Sequence, residues 1–345
     1  MTSTSALAAR NTPQSGAPCS SRREEAPINS AAECGREGIE PPDVNSTDTE
    51  RGLSRRSFLK AAATAAGAVA LPCGSSAAIH SSAASTELID VNVNLSRWPL
   101  RRLPVDDTPA LINMLRRRGV VQAWAGSFDG LLHKDIASVN SRLADECHRH
   151  GRGLLVPFGS INPKLPDWEE NLRRCAEEHR MPGIRLHPNY HGYRLDDPDF
   201  ARLLQLSAQR HLIVQLALVM EDERMMHPLL RVEPVDITPL PSRIKQTPSL
   251  RLVLLNALGT LRGQPLLDLI AAGEVYIEIS MLEGVGGVGN LLAHMPANRV
   301  LFGSHAPLFY YESALLKLKE SPLSEEQLTA IRNENARSLA TTKAQ

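Results

Sequence analysis

The chain has 345 residues, of which 42% are apolar and 22% charged, with 38 basic side chains against 38 acidic ones. This is enough apolar material for a sizeable core in one large domain or two small ones. A formal charge of zero leaves no overall field to gather nucleic acid or an anionic membrane surface, and five cysteines without a Cys-x-x-Cys pair indicate neither a zinc knuckle nor a disulfide scaffold.

Residues 1–50 are rich in Ser, Ala, Pro, Gly, Glu and Arg and poor in aromatic and branched apolar residues, so burial cannot offset the entropy of ordering them. We read this segment as disordered. Residues 51–86 follow a different order: Ser54-Arg55-Arg56-Ser57-Phe58-Leu59-Lys60, a mild apolar run over 61–71, then small residues over 75–85. That is the order of a signal peptide, and the paired arginines resemble the twin-arginine motif. The run is too short and weak to span a bilayer. Leu71-Pro72-Cys73 makes a poor lipidation site, so cleavage is expected among the small residues after it. The expectation is a protein handed folded to the twin-arginine export machinery and delivered to the periplasm or another extracytoplasmic space.

From Glu87 onward apolar, β-rich runs alternate with segments of helical period, the pattern of a parallel sheet covered by helices. Eight strands are expected over 88–94, 121–126, 154–160, 183–187, 212–218, 250–255, 275–280 and 300–303. Helices are expected over 108–118, 134–150, 168–179, 198–209, 239–246, 264–271, 285–294 and 311–318. Runs such as Arg251-Leu252-Val253-Leu254-Leu255 are apolar almost throughout, as strands buried on both faces must be. Eight such units over residues 87–345 point to one (β/α)₈ TIM barrel. The competing doubly wound sheet would place a Gly-rich phosphate turn after the first strand, where Asn94-Leu95-Ser96-Arg97 stands instead. The Gly-rich run Gly284–Gly289 follows the seventh strand and reads as a loop.

Four motifs then resemble the amidohydrolase-related family, metal-dependent hydrolase barrels that include lactonases and aromatic-acid decarboxylases. They are Ile89-Asp90-Val91-Asn92-Val93-Asn94, Pro182-Gly183-Ile184-Arg185-Leu186-His187-Pro188, Leu252-Val253-Leu254-Leu255-Asn256-Ala257-Leu258-Gly259, and Val300-Leu301-Phe302-Gly303-Ser304-His305-Ala306-Pro307. The resemblance implies metal ligands from a His-x-His on strand one, a histidine on each of strands five and six, and a water-activating aspartate on strand eight. At those positions this chain carries Asn92 and Asn94, the stretch Val214-Gln215-Leu216-Ala217, Asn256 and His305. Neutral amides are poor zinc ligands, so no metal or other cofactor is expected.

In such a barrel the polar residues just past the strands form the candidate site. An Arg fork pairs bidentately with a carboxylate, which makes Arg185, with His187 and His191, a candidate substrate clamp. Asn92, Asn94, Arg97, Tyr190 and Asn256 complete the candidate binding set. His305, where the resemblance implies an aspartate, is an imidazole that can take a proton from water near neutrality, with His187 beside it as a second catalytic candidate. The expected function is hydrolysis of a small carboxylated or cyclic substrate (a lactone, ester or amide) without the usual metal. Two alternatives stay open. One is an inactive barrel that binds a small ligand or a partner protein. The other is a decarboxylase or hydrolase with one divalent metal, such as zinc, rebuilt on His187, His191, Glu221 or His227, and His305. The charge run Glu221–Arg224 reads as a solvated helix start, residues 188–190 as a loop, and assembly into a homo-oligomer is left open.

Overall fold

The computed structural model describes residues 87–341. The segments read as disordered and as a signal peptide, with Cys19, Cys34 and Cys73, lie outside the described residues. Among them are eight parallel strands in the order of the chain, with helices between them, so the (β/α)₈ barrel is the fold.

The elements in sequence are β1 (Leu88–Leu95), α1 (Thr108–Arg117), β2 (Val120–Ser127), α2 (Ile136–Glu146), β3 (Leu155–Ser160), α3 (Trp168–Glu177), β4 (Gly183–Leu186), α4 (Pro188–His191), α5 (Pro198–Gln209), β5 (Ile213–Ala217) and α6 (Leu240–Lys245). They continue through β6 (Arg251–Leu255), α7 (Gln264–Ala272), β7 (Glu274–Glu278), α8 (Gly287–Leu292), β8 (Val300–Leu301), α9 (Tyr311–Lys319), α10 (Glu325–Thr329) and α11 (Asn335–Thr341). Each expected strand and helix is present, with ends moved by a few residues.

Period-two alternation divides the apolar residues into two cores. In β4 to β7 the outward set, Ile184, Leu186, Val214, Leu216, Leu252, Leu254, Val275 and Ile277, packs with the helices. The inward set, Ile213, Ala217, Val253, Leu255 and Tyr276, joins Ile89, Val91, Trp124, Phe158 and Leu301 inside the barrel. In β1 the register with β2 breaks between Asp90 and Val93. Val91 therefore joins the inner core while Val93 and Leu95 join the outer one, a change of face that a β-bulge produces.

Two features depart from expectation. Strand β8 is only two residues long, and the barrel is closed by backbone beyond it: Val91 N–H donates to the Phe302 carbonyl (3.0 Å) and Asn94 N–H to the Ala306 carbonyl (2.8 Å). Residues 188–190, expected as a loop, form one helical turn instead. Pro188 stands at its first position, where a missing N–H costs nothing, and His191 N–H donates to the His187 carbonyl at 3.0 Å. That turn places His187 and His191 on one face, their ring centroids 6.1 Å apart.

Candidate active site

The ends of β1, β6, β7 and β8 bring Asn92, Asn94, Asn256, Glu278 and His305 together, each at most 2% exposed. Asn92 Nδ2 donates to Asn256 Oδ1 (2.7 Å) and Glu278 Oε1 (3.3 Å). Asn256 Nδ2 donates to the Val219 carbonyl (2.8 Å). Glu278 accepts the Asn256 N–H (2.6 Å), the Ser280 N–H (2.6 Å) and the Ser280 hydroxyl (2.8 Å). Asn256 and His305 both adopt left-handed backbone, φ 55° and 58°, which for the histidine is a strained conformation held by its surroundings.

His305 Nε2 lies 2.8 Å from the Met220 carbonyl and Nδ1 lies 3.4 Å from Asn94 Nδ2. Since a carbonyl can only accept, the network assigns the proton to Nε2 and leaves Nδ1 as acceptor for the amide. Burial lowers the pKa of His305 to about 4. The expectation of an imidazole poised near neutrality is thus corrected: this ring is neutral and both nitrogens are engaged.

Arg185 projects inward from β4 and is 1% exposed. Its Nε donates to Gln215 Oε1 (2.8 Å), Nη1 to Asn94 Oδ1 (2.8 Å) and the Val93 carbonyl (2.9 Å), and Nη2 to the Trp124 (3.0 Å) and Val91 (3.5 Å) carbonyls. A guanidinium has five N–H donors, and all five are engaged within the protein. The expected substrate clamp is therefore corrected to a structural tie. Burial lowers the pKa of Arg185 to about 9, opposed by the attraction of Asp90 and Glu278. Asp90, wholly buried and raised by burial to about 7, accepts the Ser304 hydroxyl (2.5 Å) together with the N–H groups of Asn92 (3.0 Å) and Ser304 (3.1 Å).

His187 is also buried, and neither ring nitrogen has a partner among the described residues. Burial, with His191, Arg185 and His305 nearby, holds its pKa well below the usual histidine value. His191 uses Nε2 on the Gly130 carbonyl (2.8 Å). Tyr190 is partly buried against the inner core, and Arg97 is exposed on the loop after β1, apart from these contacts.

None of the catalytic or substrate-binding residues expected from the sequence lines the cavity at the mouth. That cavity, about 540 Å³, lies among the segments after β5, β6, β7 and β8, with Val219, Glu221, Arg231, Ser280, Phe309 and Lys317 in its wall. Trp98, Leu103, Phe128, Leu131, Met220 and Leu308, from the loops after β1, β2, β5 and β8, pack onto the inner core. Glu221 is buried against Arg101, so the expectation of a solvated charge run holds for Asp222–Arg224 and fails for Glu221, whose pKa burial raises and Arg101 lowers.

Of the acidic wall residues, Glu221, Asp222, Glu223 and Glu283 pair with Arg101, Arg224 (2.6 Å), Arg231 (4.0 Å) and Arg262 (2.9 Å), while Glu233 has no ion pair among the described residues. Lys317 differs. Its Nζ donates to the Ser280 carbonyl, and no carboxylate among the described residues lies within ion-pair distance. Burial lowers its pKa, with Glu278 and Glu283 attracting the charge from further away.

A metal fits this chain poorly. At the positions where ligands are implied stand three asparagines, a glutamine and a histidine already bonded to one another or to Arg185. The rebuilt set of His187, His191, Glu221 or His227, and His305 does not gather. No group of three or more His, Cys, Asp or Glu side chains suited to an ion occurs among the described residues.

The amidohydrolase family model matches residues 90–339. Among solved structures, 5-carboxyvanillate decarboxylase from Sphingomonas paucimobilis is 14% identical with a TM-score of 0.60, over 75% of this chain and 100% of that one. For 2,6-dihydroxybenzoate decarboxylase from Rhizobium the values are 14% and 0.55, over 74% and 98%. No curated protein matches by sequence. At such identities the structural likeness speaks for the fold.

Proposed function

The chain belongs to the amidohydrolase family, and from that premise we propose that it holds a small carboxylated molecule in the mouth cavity through contacts that need no metal. Lys317 is the observation that carries this reading. A half-buried ammonium with no carboxylate at ion-pair distance is costly, and a ligand carboxylate would reduce that cost while Ser280 keeps the amine in place. The volume falls within the roughly 300–1,000 Å³ usual for small-molecule pockets. The decarboxylases similar in fold are named for aromatic carboxylates, which supports the same ligand class.

A second reading is turnover at His187, which lies outside the wall of that cavity: the hydrolysis of a small lactone, ester or amide. What favours it is His187, a buried neutral imidazole with both nitrogens free to take and give a proton. Export through the twin-arginine machinery to the periplasm stays part of the proposal.

Calorimetric titration of benzoates, hydroxybenzoates and short aliphatic carboxylates into the mature protein tests the first reading. At least one should bind, and Lys317→Met should weaken it about tenfold or more, as the loss of a charged hydrogen bond does. Absence of binding across the panel, or equal binding by the variant, overturns it. A lactone and ester panel run on the same sample, before and after chelation, tests the second reading. Chelation should have no effect and His187→Ala should abolish hydrolysis, whereas loss in His305→Ala alone would return the proton-transfer role to His305.

A further inference from the structure

Arg185 is bound by oxygen on every side: three main-chain carbonyls and the side-chain oxygens of Asn94 and Gln215. Asn94 and Gln215 lie on β1 and β5, at or beside two of the positions where the family places metal ligands. At the other such positions, Asn92 bonds to Asn256 and His305 to Asn94. Two wholly buried carboxylates, Asp90 and Glu278, attract the guanidinium without touching it. Strand β2 is cut back to admit it, since a Cβ at Gly126 would come within 2.7 Å of Nη1.

We propose that the Arg185 guanidinium is a built-in cation that takes the electrostatic place of the family's divalent metal, and that its removal uncovers a site for a hard cation or a free guanidinium ion. The donor set carries the argument. Oxygen acceptors that satisfy five N–H bonds also suit calcium, which takes six to eight oxygens, and suit zinc badly. While the guanidinium is present, a second cation in the same low-dielectric space meets its repulsion and finds the oxygens occupied.

The test is thermal unfolding of the mature protein and of Arg185→Ala. The variant should melt lower by at least about 6 °C, since it leaves two buried carboxylates without their cation. Millimolar calcium or methylguanidinium should recover part of that loss in the variant and leave the wild type unchanged, with sodium chloride at matched ionic strength as the control. Wild-type protein incubated with zinc, manganese or calcium and then desalted should retain none. The proposal is overturned if the wild type keeps one metal per chain, or if the variant gains nothing from either cation. Should Arg185→Ala not fold, Arg185→Lys and Arg185→Gln decide the matter. The lysine variant should be the more stable and indifferent to calcium, the glutamine variant calcium-responsive; the reverse order overturns the idea. Carboxylate titration at Lys317 is read separately, so this proposal and the cavity reading can fail independently.

Discussion

Asn94 and His305 meet across the seam of the barrel, the amide Nδ2 3.4 Å from the imidazole Nδ1. Because Asn94 Oδ1 also accepts a hydrogen bond from Arg185 Nη1, the amide can turn only one way, and it thereby sets the tautomer of the histidine.

This arrangement makes His305 a source of acid sensitivity. Its folded pKa of about 4 lies below the unfolded 6.5, so the unfolded state binds more protons between those values. The contribution of His305 is therefore complete above pH 6.5 and is lost as pH falls through 4. A shift of that size is worth about 3 kcal/mol. Chemical denaturation of wild type and His305→Gln at several pH values should show the difference in pH slope between them confined to this window; parallel curves would refute the assignment.

Two glycines should resist replacement by alanine. A Cβ at Gly126 would lie 2.7 Å from Arg185 Nη1, and one at Gly303 would lie 2.3 Å from Glu278 Oε2. Neither neighbour can withdraw without breaking hydrogen bonds, so each substitution should cost about 1–3 kcal/mol in urea unfolding. Gly153→Ala, with open space around it and φ +82°, is the comparison for backbone strain alone.

Arg101 holds Glu221 at the edge of the cavity. In Arg101→Ala that carboxyl loses its counter-charge while staying buried, so its pKa should rise further above the usual carboxylate range, opposite in sign to any effect of added exposure. Because Arg101 is partly exposed, the stability loss should be modest, about 1–2 kcal/mol. Isotope-edited infrared titration of the carboxyl reads the first effect and denaturation the second.

The proposed export should depend on Arg55 and Arg56. Replacing both by lysine should leave the protein in the cytoplasmic fraction, whereas the unaltered chain should appear in the periplasmic fraction. Equal periplasmic amounts would dismiss the signal.

Much of the barrel was legible because apolar runs and helical periods are local signals; helix α5 falls over the expected residues. The C-terminal helices α10 and α11 went unanticipated, for they lie beyond the eighth repeat. Alternation along β4 shows that Arg185 and His187 face inward. It cannot show what they meet there, since the partners of Arg185 on β1 are more than ninety residues away. Glu278 was overlooked for the same reason: as one acid in a strand it looks incidental, and only the fold gathers four hydrogen bonds onto it. Lys317 carries no signal in the sequence at all, being one of two lysines on helix α9.

The ring of strands is fastened by a clasp of loop backbone, because β8 is only two residues long. Asn92 and Asn94 stand on one half of that clasp and His305 on the other. Any exchange at these positions is therefore judged twice, by what the new side chain can bind and by whether the ring still shuts. A lineage that drifts away from metal ligands here must keep the fastening as it goes, which leaves hydrogen-bonding amides as a ready replacement.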